Sequence, residues 1–401
     1  MRILVLTTRF PWPLDKGDRL TCFHRIRELS ERGHDVFLVS YPPTGTLEEK
    51  QCSIDVLADY CEVIIVARRA WLSVLMLPLT LWIFPAQVAL FYQRTFIRVA
   101  QDVVRRHEIS TAHIMLVRAG FCVNSLSIPI VLDLIDAMAW NMSQLKDIVN
   151  GPLKKIAYAW DAKRVGHFEQ KILRDVFAAV VVSQQDKDQL GEPNEKIFCV
   201  PNGVDTNMFR PLKRDLNYRF TIGFSGKLDY PPNVEALLFF IKVFRRFKRV
   251  ETSAELLVIG GGWDDRLNRL RTEPGVKFTG YVQSVADFLG GVDVAVAPMF
   301  SGSGIQTKVL EALSCGLPLI ATPKALGGIK VIDGEHMFIA HNEDGFLDKM
   351  LYIFRNIAHS EKVGAAARDF VMEQHSWHTV GKVIAEIHYK AIRRRTEAQA
   401  F

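Results

Sequence analysis

Glycines and hydroxyls crowd the stretch Ser301-Gly-Ser-Gly-Ile-Gln-Thr307, and a helical pattern takes over at once, with Ile305, Val309, Leu310 and Leu313 on one face. A turn of this kind presents unpaired backbone N–H groups at the positive end of a helix dipole. That makes an anion site well suited to a diphosphate. Glu311 falls about two turns inside a helix predicted over 305–314, where its carboxylate accepts hydrogen bonds from the hydroxyls of a ligand lying along the helix start. The same residues also read as an ordinary βαβ turn with a solvated glutamate.

The elements around this stretch must hold it in place. An apolar run, Val292–Pro298, precedes it as a buried strand; Gly316 stops the helix and Leu317–Ala321 supplies the next strand. The alternation runs along the whole chain. Residues 3–6, Val36–Val39, Val63–Val66, His113–Leu116, Ile130–Leu132 and Ala178–Val182 form one series of predicted strands. Phe220–Phe224, Glu255–Ile259, Val276–Thr279, Val292–Ala297 and Leu317–Ala321 form a second, after a linker at Pro201–Arg219. Helices are expected at about 232–248, 263–271, 283–290, 305–314 and 343–357. Continuous apolar strands separated by helices indicate parallel sheets covered on both faces. The fold class is therefore α/β, with two doubly wound Rossmann-like domains and a ligand expected between them at the carboxyl ends of the strands.

Composition narrows the function classes. The 401 residues suit two domains, and 49% hydrophobic against 23% charged residues gives full cores. A net charge of +6 is mild, which argues against a dedicated nucleic-acid binder but fits an anionic ligand or membrane surface. The six cysteines show no metal-ligand spacing, which suits a reducing cytoplasm. The N-terminal run reads as a first strand and lacks the features of a signal peptide. One segment breaks the pattern. Ala70–Phe91 has no charged residue, and is flanked by Arg68, Arg69 and Arg94. Pro78 and Pro85 break it as a membrane span, and a span would separate the first strands from their sheet. It either packs between sheet and helices or dips into a membrane interface with Trp71, Trp82 and the arginines as anchors, and its apolarity favours the interface.

In its ordered motifs the chain resembles the retaining glycosyltransferases of family 4, with the two-domain GT-B fold, over nearly its full length. The first strand is followed by Pro11, Pro13 and Gly17, then by Glu31-Arg-Gly-His-Asp-Val36. Val180-Val-Val-Ser183 follows a long helix containing Glu169. The most specific match is the linker motif Val200-Pro-Asn-Gly-Val-Asp-Thr-Asn-Met-Phe-Arg-Pro211. Phe224-Ser-Gly-Lys-Leu228, Leu257-Val-Ile-Gly-Gly261, Phe278-Thr-Gly-Tyr-Val282, the Glu311 stretch and Ser376-Trp377 complete the order.

The resemblance implies domains at 1–205 and 206–375 facing a central cleft, with a terminal helix from about 376 to 401 returning to the first. It implies a nucleoside-diphosphate sugar held mainly by the second domain, with no metal or other cofactor. Lys227, after Gly226, should contact the diphosphate as a point charge, and Glu311 should hold the ribose hydroxyls. The amides of Gly304, Ile305, Gln306 and Thr307 should cap the phosphates. Backbone at Tyr281 and Val282, near Gly261, should meet the base. Gly17, with Asp18 and Arg19, should close over the donor from the first domain. The departures matter too. The family's first glutamate of Glu-x7-Glu is Ser303 here. The second cation expected after Lys227 is missing; Lys308 either replaces it or pairs with Glu311 at i,i+3. The first domain's common histidine is absent, and the strand ends Leu132-Asp-Leu-Ile-Asp136. Asp136 either touches sugar or acceptor or caps the next helix.

On this reading Lys227, Asp136 and Glu311 carry the catalysis, which is electrostatic: positive groups and amide dipoles stabilise the departing diphosphate. The expected acceptor is a glycan or lipid-linked glycan of cell-surface polysaccharide, reached at the inner face of the cell membrane with peripheral contact through 70–91. Two other classes fit parts of the pattern. A sugar-nucleotide epimerase of similar fold would turn over donor without acceptor. A catalytically silent scaffold of a polysaccharide assembly complex would fit Ser303 and the missing histidine.

Overall fold

Thirteen short parallel strands, five of them buried from end to end, set the architecture of the computed structural model, which describes residues 1–145, 151–191, 194–212, 219–301 and 306–399. The first sheet contains β1 (Arg2–Thr7), β2 (Asp35–Ser40), β3 (Glu62–Ile65), β4 (Thr111–Met115), β5 (Ile130–Ile135), β6 (Ala178–Val181) and β7 (Ile197–Cys199). Its order is β3-β2-β1-β4-β5-β6-β7. The second contains β8 (Thr221–Ser225), β9 (Glu255–Ile259), β10 (Val276–Phe278), β11 (Val294–Ala297), β12 (Leu319–Ala321) and β13 (Phe338–Ile339), in the order β10-β9-β8-β11-β12-β13. In each sheet the order reverses beside the first strand, so that a crevice opens at the strands' carboxyl ends, between β1 and β4 and between β8 and β11. The chain divides into a unit of Met1–Pro201 plus the chain from Val380 onward, and a unit of Asn202–Thr379.

Most predicted elements appear within a residue or two. Strands β7 and β13 are new, with three and two residues, too short to show a pattern. The helix expected at 263–271 is a 3₁₀ helix, Asp265–Thr272. Its two buried residues, Leu267 and Leu270, are three apart, the period of that tighter helix. The helix carrying Glu311 starts at Thr307, so Glu311 lies one turn inside it, not two.

In the first unit a buried polar chain ties four elements together. Asp133 of β5 accepts from Arg25 Nε at 3.1 Å, and both side chains are fully buried. Arg25 comes from the helix Gly17–Glu31. Burial alone would raise the Asp133 pKa, but the Arg25 and His113 partners outweigh it and hold the carboxylate below its ordinary value. His113 of β4 lies 3.6 Å from Asp133 and 3.1 Å from His388 Nε2, and His388 Nδ1 meets Thr111 Oγ1 at 3.0 Å. Burial, then the neighbouring His113 and His34, press the His388 pKa far down, so this ring is neutral. His388 belongs to the terminal helix Trp377–Gln399, whose N-cap Ser376 accepts from the Thr379 amide at 3.1 Å. Val380, Ile384, Ile387 and Ala391 of that helix are buried in the same unit.

The apolar segment forms three short helices, Ala70–Leu75, Leu77–Ile83 and Ala86–Ala89. Among the described residues no helix is long and apolar enough to cross a membrane.

Cutting the chain before Ser376 removes His388 and the buried aliphatic face of the last helix. The expected loss to the first unit is on the order of 5 kcal/mol, from a few aliphatic side chains at about 1.5–3 kcal/mol each. Thermal denaturation of the truncated protein should show it; unaltered melting and activity would contradict this account.

Candidate active site

The second unit gathers its predicted residues at the carboxyl ends of β8 and β9. Strand β8 ends in the turn Gly226-Lys227, and β9 ends in Gly260-Gly261. Gly226 N donates to Ile259 O at 2.9 Å, and Leu228 N to Gly261 O at 2.8 Å. The two backbones are too close for side chains: a Cβ on Gly260, at φ 142°, would stand 2.2 Å from the Gly226 carbonyl. A Cβ on Gly226 would stand 2.9 Å from Lys308 Nζ. Lys308 therefore reaches from its helix, Thr307–Ser314, to the underside of the Gly226 turn.

Of the two readings of Lys308, the geometry rejects the i,i+3 ion pair. Its ammonium donates to Asn233 Oδ1 at 2.7 Å and stands 4.9 Å from the centroid of the Phe224 ring. Burial lowers the Lys308 pKa to about 8, with the Glu311 charge opposing the shift. Glu311 is partly buried, and burial raises its pKa to about 7, opposed by Lys308. Asn233 also donates from Nδ2 to the Lys227 carbonyl at 2.9 Å, so one buried amide fixes both the turn and the lysine beneath it. Sequence reasoning passed over Asn233. The available signal was an amide on the apolar face of helix Pro231–Lys248, beside Val234 and in line with Leu237.

Lys227 itself is exposed, and among the described residues its ammonium has no partner. Gly261 packs against Tyr281: a Cβ on the glycine would lie 3.1 Å from the tyrosine Cβ. Tyr281 is 84% exposed, so it is no core edge, while Val282 packs partly buried against the core. Gln306 occupies the N-cap position of the Glu311 helix and Thr307 its first turn. Ser303, Gly304 and Ile305 lie outside the described residues.

The first unit holds a separate group. Gly17 opens the helix Gly17–Glu31 in open space, with nothing within 4 Å of an added Cβ. Asp18 is ion-paired with Arg9, and Arg19 donates to Asp15 at 2.8 Å, so the charges of this loop are satisfied locally. Asp136 follows Ile135, a β-branched residue held at φ 65° where β5 shifts register against β6. That conformation costs of order 1–3 kcal/mol and is held by its surroundings, including the Ile135 amide donating to Asp133 Oδ1 at 3.1 Å.

Asp136 does not cap the next helix, Met138–Leu145. Asp186 takes the Ala137 amide at 3.0 Å, and Glu169 takes the Met138 and Ala139 amides at 2.9 and 3.4 Å. The Asp136 carboxyl is left out of the capping. Burial, then Asp186 and Asp133, raise its pKa to about 6. Glu169 is raised to about 7, chiefly by burial. Asp186 and Glu169 were not among the predicted site residues; Asp186 acts on Asp136 and Glu169 holds the start of the next helix, both from distant elements, which no local pattern reveals.

Residues 21–208 match the model of Glycosyltransferase Family 4, and residues 219–356 match that of Glycosyl transferases group 1. The chain is 21% identical to an uncharacterized 44.6 kDa protein in the cps region of Klebsiella pneumoniae, over 93% of this chain and 96% of that one. It is 22% identical to a glycogen synthase of Mycobacterium tuberculosis, over 100% of this chain and 97% of that one. Among solved structures it is similar to Anabaena Alr3699/HepE in complex with UDP-glucose, at 14% identity and a TM-score of 0.66, covering 96% of this chain and 98% of that one. That likeness shows the GT-B fold. One family model spans most of the first sheet and the other covers the second, and on these grounds the chain is a group 1 glycosyltransferase of family 4.

Proposed function

We propose that the protein transfers a sugar, with retained configuration, from a nucleoside-diphosphate sugar to a glycan or lipid-linked glycan of cell-surface polysaccharide. The observation that carries the donor assignment is the partly buried Lys308 ammonium held by Asn233 beneath the Gly226-Lys227 turn. A cation kept in a low-dielectric place without a carboxylate partner suits an incoming anion. The Anabaena structure with UDP-glucose supports a nucleotide-sugar donor, and the Klebsiella relative's cps-region origin supports a surface-polysaccharide product.

On this reading Lys227 and Lys308 flank the diphosphate from two sides of one turn. The amides at the start of helix Thr307–Ser314 add dipolar stabilisation, with Gln306 and Thr307 at its mouth. As the glycosidic bond breaks, the sugar becomes oxocarbenium-like and the leaving diphosphate gains charge. The two ammonium groups are already in place to receive it, so little reorganisation is required. Glu311 accepts from the ribose hydroxyls, and backbone near exposed Tyr281 meets the base. Asp136, outside the capping network and with a raised pKa, serves the sugar or acceptor hydroxyl; the leaving phosphate is the candidate base for the acceptor proton. The exposed apolar residues of 70–91 support work at the cytoplasmic face of a membrane, where a lipid-linked acceptor presents itself.

Glu311→Ala and Lys227→Ala should each weaken binding of UDP-glucose by about 1.5–3 kcal/mol, the loss of a charged hydrogen bond, with melting unchanged. Calorimetric titration with unchanged affinity in both variants removes this site from consideration.

Proton linkage gives a second test. Free Lys308 loses its proton above about pH 8, and a bound diphosphate restores it, so donor binding at about pH 9 should take up protons and weaken as pH rises further. Glu311 is protonated below about pH 7, and hydroxyl donors favour its charged form, so binding at about pH 6 should release protons. Titrations in two buffers of different ionisation enthalpy read both signs. Lys308→Met should abolish the uptake and Glu311→Gln the release; buffer-independent heats at both pH values would sink the assignment.

A further inference from the structure

The exposed apolar surface of the first unit extends well beyond 70–91. The long helix Pro152–Asp175 is fastened to that segment through its third and fourth turns. Asp161 Oδ1 accepts from the Ala86 amide at 2.8 Å. Arg164 donates to the Leu81 carbonyl and, at 2.8 Å, to the Phe84 carbonyl. Its guanidinium stands 4.5 Å from the centroid of the Trp160 ring. Trp160 is 57% exposed, and Ile156, one turn earlier on the same helix face, is 67% exposed. Across the fastening stands Trp82, 89% exposed, with Leu79 and Ile83 also exposed. Two segments some 75 residues apart in sequence thus share one apolar surface, larger than scattered single side chains require.

The exposed charges of these two stretches of sequence have one sign. Between Glu62 and Asp102 the chain has no acidic residue and four arginines, Arg68, Arg69, Arg94 and Arg98. From Gly151 to Trp160 it has Lys154 and Lys155 and no acid, and Asp161 is buried on the Ala86 amide. The indole N–H groups of Trp71, Trp82 and Trp160 have no hydrogen-bond acceptor among the described residues. Apolar ring bodies with free N–H groups, rimmed by cations, suit the boundary between headgroups and acyl chains. A second copy of the chain would set these cations against themselves, whereas an anionic leaflet neutralises them.

We infer that the helix face carrying Ile156 and Trp160, with Lys154 and Lys155, is the second half of a two-segment platform that docks on an anionic bilayer. This rests on the membrane contact proposed for 70–91 and adds to it that neither segment suffices alone. Lodging both segments fixes how the first unit stands on the bilayer, which a single short helix would leave free to rotate.

Flotation of the full chain with phosphatidylglycerol-containing vesicles and with pure phosphatidylcholine vesicles tests this. Wild type should float with the first and not the second. Ile156→Ser/Trp160→Ser should bind at least about 100-fold more weakly, the loss expected for two buried apolar side chains, and Lys154→Glu/Lys155→Glu at least about thirtyfold more weakly by charge. Trp160→Phe, which keeps the apolar body, should retain most of the binding and so guards against a folding artefact. Wild-type flotation that Trp82→Ser abolishes but Ile156→Ser/Trp160→Ser leaves intact overturns the two-segment platform and spares the 70–91 contact. Failure of wild type to float overturns both. A vesicle-free dimer in light scattering that Ile156→Ser/Trp160→Ser turns into monomer assigns the surface to a second copy and overturns the proposal.

Discussion

The close approach of two backbones in the second unit governs how its site is built. With the Gly226 carbonyl occupying the space of a Gly260 side chain, both positions must be glycine, and the ends of β8 and β9 converge. That convergence leaves a low-dielectric space under the turn, which Lys308 enters from a helix that follows β11. Asn233 then has two tasks with one side chain: its carbonyl oxygen holds the ammonium and its amide holds the turn. A larger residue at Gly226 would collide with Asn233 and Lys308 together. The geometry of the backbone, the position of the cation and the exposure of Lys227 are one constraint seen from three sides.

Both units hold titratable groups where burial disfavours the charged form. In the second, the partly buried Lys308 ammonium has its pKa depressed to about 8 and Glu311 has its raised to about 7. In the first, Asp136 and Glu169 have theirs raised to about 6 and about 7. Each group is in an environment that disfavours its charged form, the condition under which a ligand of the right charge or hydrogen-bonding pattern gains most. The left-handed Ile135 adds backbone strain at the start of the same loop as Asp136. Such a cluster of raised carboxyls and strained backbone is costly for stability alone and fits a place where a substrate is handled.

Much of this was legible from the sequence, because parallel strands buried on both faces announce themselves as apolar runs. The strand-to-helix turn at Gly226 was readable through the ordered motif Phe224-Ser-Gly-Lys-Leu228. Strands β7 and β13 were not, being too short for a period to form. The buried tie Arg25–Asp133–His113–His388 joins residues as far as 275 positions apart, and Asn233 looks like an ordinary first-turn residue until Lys308 is beside it. The capping of helix Met138–Leu145 by Asp186 and Glu169, in place of Asp136, is likewise a tertiary choice among carboxylates that are equivalent in local sequence.

The tie to His388 also bears on how the protein is made. Synthesis runs from the N-terminus, and domains fold as units as they emerge. Among the described residues all seven strands of the first sheet are complete by Cys199, yet the helix that closes over His113, Trp377–Gln399, is translated only after the second unit. The first unit must therefore wait, with Thr111 and His113 uncovered, while the whole second unit is synthesised and folds. The half of the enzyme that is written first is finished only after the second, and a ribosome that stops before Trp377 releases a folded second unit joined to an open first one.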